Sequence, residues 1–90
     1  MMTNVVVLHG GPTGSPEPNE HAIKALEEWL EMARSGELIG VVMIGAAYDD
    51  TTRSTMAGVV GSYRMVGTVE ITKAELIAAV LEGGVEVAPS

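Results

Sequence analysis

The side chains best suited to touch a ligand sit in one short stretch. Gly61-Ser62-Tyr63-Arg64 sets a hydroxyl, a phenol and a guanidinium in succession, and Arg53 precedes them across an expected hairpin. If a helix begins here, Ser62 is its N-cap and the first-turn N–H groups point outward. A helix end of that kind beside Arg64 suits an anion or a nucleotide phosphate, and Tyr63 could stack on a base. The chain has only five Lys or Arg. Two of them bracketing one junction makes Arg53, Ser62, Tyr63 and Arg64 the candidate ligand-binding residues. The competing reading is a solvated helix end whose arginine pairs with Asp49 or Asp50.

Other constellations fall short of chemistry. His9-Gly10-Gly11-Pro12-Thr13-Gly14-Ser15 has the glycines of a phosphate loop. No Lys follows Gly14, and Pro12 and Pro16 remove backbone donors, so the segment reads as a flexible linker. His9 and His21 lack the spacing that puts two metal ligands on one helix face. Asp49 and Asp50 are adjacent, so on a strand they point to opposite sides, and turn chemistry explains both. No Gly-x-Ser-x-Gly elbow surrounds Ser54 or Ser62. With no cysteine, thiol nucleophiles, thiolate metal sites and disulfides are excluded. We therefore expect no catalytic residues, no metal and no cofactor, and the weight moves from catalysis to binding.

The elements that must position these residues follow from spacing. Residues 4 to 8 are β-branched and read as a short strand or ordered arm, and His9 to Asn19 as a Gly/Pro-rich loop. Asn19 as N-cap and Gly36 as terminator bound a helix over Glu20 to Ser35. Ala22, Ile23, Leu26, Trp29, Leu30 and Ala33 recur on its apolar face, widened by Ala25 and Met32. Lys24, Glu27, Glu28, Glu31 and Arg34 hold the other face. That apolar arc exceeds what one small sheet covers, which points to a second contact surface. Trp29, the one large aromatic, reads as core or interface, with a ligand-stacking platform as the alternative.

Leu38 to Tyr48 is apolar without alternation, so it reads as a strand buried on both faces. Asp49 to Thr52 forms a turn and Arg53 to Val60 the returning strand. Beyond it, two readings compete. Arg64 to Ile71 partly alternates like a strand, with Thr72-Lys73-Ala74-Glu75 as a capping box for a short helix to Glu82. Alternatively one helix runs from Ser62 through Leu81. Gly67 and the β-branched residues favour the first by propensity. Gly83-Gly84 closes the element, and residues 85 to 90 read as a loose tail.

Residues 20 to 82, from ALEEWLEMARSGELIGV at Ala25–Val41 to GSYRMVGTVEITKAELIAAVLE at Gly61–Glu82, resemble small uncharacterised proteins of phage and prophage genomes. The resemblance implies a C-terminal segment helical from near the Gly-Ser, and so the long helix. It also implies a phage or prophage setting, with the bacterial cytoplasm as location. It carries no assigned activity. By size and setting only, such proteins include oligomeric sponges that sequester nucleotide signals of bacterial immunity.

Composition bounds the rest. Ninety residues make one domain at most. A net charge of −7, from five basic against twelve acidic residues, repels phosphates and anionic lipid, so duplex nucleic acid and membrane surfaces are not expected partners. Leu38 to Tyr48 is too short to span a bilayer, and residues 1 to 9 lack the basic start of a secretory signal. Apolar residues are 47% of the chain without a single Phe. So short a chain barely balances burial against conformational entropy, which makes a homodimer or larger homo-oligomer the expected remedy.

The expectation is an α+β fold, an antiparallel β-hairpin or small sheet packed by two helices. Residues 1–19 form an N-terminal arm and flexible loop, 20–83 a single domain and 84–90 a loose tail. The expected function is a non-enzymatic oligomer sequestering a small anionic, nucleotide-like ligand. The alternative is an interaction protein docking on a host or phage protein through its acidic helix face.

Overall fold

A computed structural model describes residues 4–6, 16–84 and 86–89. The fold is α+β, with two helices and an antiparallel hairpin, and a second pair of short strands formed by the chain ends. The chain divides into two units, Gly10–Val60 and the combination of Met1–His9 with Gly61–Ser90. One domain was expected over 20–83. The break falls where the hairpin ends and the second helix begins.

In the first unit, α1 (Glu20–Ser35) starts and stops where its capping residues dictate. The Asn19 side chain accepts the Ala22 N–H at 3.0 Å. Gly36, at φ 88°, turns the chain out of the helix while its N–H donates to the Ala33 carbonyl; an L side chain rarely adopts that conformation. The expected loop over 9–19 lies outside the described residues as far as residue 15.

Strand β2 (Gly40–Ala46) pairs with β3 (Thr52–Gly58) in the register Gly40↔Gly58, Val42↔Met56, Ile44↔Ser54 and Ala46↔Thr52. The turn is held at both ends: Asp50 N–H donates to the Ala47 carbonyl and Ala47 N–H to the Thr51 carbonyl. Asp50, at φ 68°, is the left-handed residue that returns a three-residue loop to the strand direction. Thr51 donates both its hydroxyl (2.6 Å) and its N–H (3.3 Å) to Asp49 Oδ1.

Those two bonds favour the charged carboxylate, the hydroxyl more than the N–H, and hold Asp49 below the ordinary carboxylate range. A depressed folded-state pKa contributes stability above the unfolded value, near 4, and loses it as pH falls through the folded value. The expected outcome is that Asp49→Ala lowers the melting temperature at neutral pH, and that its gap to wild type narrows as pH drops below about 4. Melts at several pH values check it; a gap independent of pH refutes the carboxylate's part.

Strand β2 is not buried on both faces as its composition suggested. Gly40, Val41 and Val42 are half-buried, residues 43–46 are exposed, and β3 is exposed throughout. Within this unit the two-stranded sheet has one helix beside it, and Ile44, on the face turned from that helix, is 76% exposed.

In the second unit, α2 (Tyr63–Leu81) is one continuous helix, as the resemblance implied and propensity did not. Thr72 does not cap a short helix. Thr68 and Thr72 donate their hydroxyls to the carbonyls of Arg64 and Thr68, four residues back. That bond gives a β-branched polar residue a partner inside a helix. The chain then closes at its ends: β4 (Glu86–Ala88) pairs antiparallel with β1 (Asn4–Val6), Val5 opposite Val87. The expected loose tail therefore holds a strand at 86–88, paired with the N-terminal strand. Ala79 on α2 is the one buried residue among those described.

Candidate functional site

Ser62 caps α2. Its hydroxyl accepts the Met65 N–H at 3.0 Å and its carbonyl the Val66 N–H at 3.2 Å. The N–H groups of Tyr63 and Arg64 have no partner among the described residues, and no acidic side chain occupies the first turn. The positive end of the helix is thus left without a local counter-charge. Ser62, Tyr63 and Arg64 are all exposed, Tyr63 at 96%. The helix start brings these three together. Arg53 belongs to β3 in the other unit. Neither Arg53 nor Arg64 makes an ion pair among the described residues, whereas Arg34 pairs with Glu31 and Lys73 with Glu70. Asp49 is engaged by Thr51 within its own turn.

The more enclosed feature lies in the first unit. Leu26, Trp29 and Leu30 of α1 face Leu38, Val41 and Met43 across a groove of about 320 Å³. Its volume is at the lower end of small-ligand sites, but such sites add a few polar groups that fix orientation. Its lining side chains are apolar apart from the Trp29 indole N–H, and none carries a charge to hold a nucleotide or another charged metabolite. It can accept an apolar side chain. Trp29 and Leu30 are each 48% exposed and Leu26 55%, which leaves part of each large side chain to be covered.

The α1 half of this surface was legible as the surplus apolar stripe. Its strand half was not: an unbroken apolar run reads as buried on both faces, whereas Met43 is exposed.

Among the described residues no three His, Asp or Glu side chains gather closely enough to hold a metal ion. No helix among them is long and apolar enough to cross a membrane. No protein-family model matches the chain, and neither do the curated proteins or solved structures compared with it.

Proposed function

We propose that this chain is a non-catalytic binding protein that works as an assembly of its own copies. The observation that carries the reading is the half-covered apolar groove of α1 and β2, backed by a sheet face on which Ile44 stands 76% exposed. Soluble monomers seldom leave contiguous apolar surface of this kind open. A homotypic contact removes it from water in both partners at once. The resemblance of residues 20–82 to small phage and prophage proteins is what supports a bacterial-cytoplasmic setting for the assembly. Sedimentation velocity at about 10 μM tests the reading. The expected particle is a multiple of the 9.4 kDa chain, and a single 9.4 kDa species overturns it.

A second reading adds a small anionic ligand, and the uncompensated N-terminus of α2 favours it. Tyr63 and Arg64 N–H groups, the Arg64 guanidinium and the Tyr63 ring supply donors, charge and a stacking face. A cyclic dinucleotide present at 100 times its dissociation constant should stabilise the protein by about 2.7 kcal/mol, and Arg64→Ala should abolish the shift. If no nucleotide moves the melting temperature, this reading fails and the assembly stands without it.

A further inference from the structure

The hairpin carries an inference about how copies meet, resting on the self-assembly proposed above. Val59 N–H donates to the Ile39 carbonyl at 2.9 Å and Ala47 N–H to the Thr51 carbonyl at 2.8 Å. Hydrogen-bonded pairs alternate along an antiparallel ladder, so within the hairpin they fall on the odd-numbered residues of β2. Gly40, Val42, Ile44 and Ala46 therefore direct their N–H and C=O groups away from β3. Among the described residues no strand pairs with that edge.

Open edges are normally blunted by charge, by Pro or by a covering element. Gly40–Ala46 reads GVVMIGA, with neither a charge nor a Pro, whereas β3 carries Arg53. A two-stranded hairpin is also marginal in water, and three or more strands are needed for independent stability. We propose that β2 pairs antiparallel with β2 of a second copy, giving a four-stranded sheet ordered β3-β2-β2-β3 about a two-fold axis.

Three observations select a second copy over a foreign peptide. The chain carries a net charge of −7, so two copies approach most easily along an uncharged strip, and Leu38 to Tyr48 is such a strip. The strand is also complementary to itself. Full overlap sets Met43 opposite Met43 of the second copy, Val42 opposite Ile44 and Val41 opposite Gly45, with all outward backbone groups paired. Finally, the pairing places both copies' α1 helices on the same side of the sheet, because Val41 and Met43 face α1 in each. The apolar stripe of α1, too wide for two strands, then lies against four. An isologous contact of this kind closes on itself and leaves no edge of β2 exposed.

The absence of cysteine makes the register directly testable in the full chain. Opposed residues that share no hydrogen bonds lie with Cα atoms about 4.5 Å apart, within disulfide reach. Under mild diamide oxidation, Met43→Cys should convert mostly to a covalent dimer. An equimolar mixture of Val41→Cys and Gly45→Cys should cross-link as heterodimers, and Thr55→Cys on β3 should stay single on a denaturing gel. Failure of either β2 experiment, or equal cross-linking of Thr55→Cys, overturns the edge pairing. Sedimentation of the unmodified protein separates the two levels. A single chain ends both the assembly reading and this one, whereas an oligomer without the cross-links ends this one alone.

Discussion

Leu26→Glu combined with Leu30→Glu is expected to leave the chain monomeric at concentrations where the unmodified protein assembles. Both leucines are about half exposed beside the groove. Covering the remaining half of each contributes about 1 kcal/mol, since full burial of a leucine is worth roughly 1.5–3 kcal/mol. Each glutamate would in addition carry a charge into an apolar contact, at a cost of about 1 kcal/mol or more. Together these weaken association by at least about 100-fold, equivalent to roughly 2.7 kcal/mol. Glutamate is a good helix former, so the helical signal in circular dichroism should persist. Glu28→Gln, on the opposite face of α1, is the matched control and should leave the sedimentation coefficient unchanged. Assembly that survives the double substitution would show that the groove is not a contact.

Gly58→Ala should be a severely damaging single-methyl change at the base of the hairpin, where its neighbour Gly40 is equally tight against the Val59 backbone. Gly58 has φ 83°, and a Cβ there would fall on the Ile39 carbonyl oxygen. The left-handed conformation costs an L residue roughly 1–2 kcal/mol. Relieving the overlap would open the Val59–Ile39 hydrogen bond, worth about 1 kcal/mol. For a chain of this size roughly 2–3 kcal/mol lowers the melting temperature by about 10–20 °C. Gly45→Ala gives the contrast: a Cβ at Gly45 meets nothing within 4 Å and φ there is not positive. That substitution should be neutral or slightly stabilising, by up to about 1 kcal/mol through the unfolded state. Equal effects of the two would mean that the base of the hairpin is not the close contact described.

Local signals were legible where a named side chain or glycine makes the structure by itself. Asn19 and Gly36 fix α1, Ser62 begins α2, and the Asp-Asp-Thr-Thr turn produces the hairpin, because each acts over three or four residues. Propensity failed over 64–71, where it counted Gly67 and the β-branched Val66, Thr68, Val69 and Ile71 against a helix and had no account of the Thr68 hydroxyl reaching back one turn. β4 was not legible either: three residues carry no period, and their partner strand lies at the far end of the chain. The misjudged burial of β2 has another origin. Composition reports what a strand would prefer to be covered by, while only the number of layers reports whether the cover is there.

For the candidate site, the helix-capping serine and the adjacent Tyr63 and Arg64 were readable directly from the Gly-Ser-Tyr-Arg sequence. Whether Arg53 acts with them depends on the placement of two units, which no local pattern encodes. The groove was half legible, through the stripe on α1.

Charge divides the apolar surface of α2. Met65 and Ala79 mark its more enclosed side, yet Val66, Ile77 and Leu81, roughly opposite on the helical wheel, are exposed and apolar as well. Glu70 and Lys73, paired at 3.8 Å, stand among them on the same side. The apolar side chains of α2 therefore meet water in groups divided by charge, not as one continuous seam. Replacing either member of that pair with an apolar residue would join the groups into a strip.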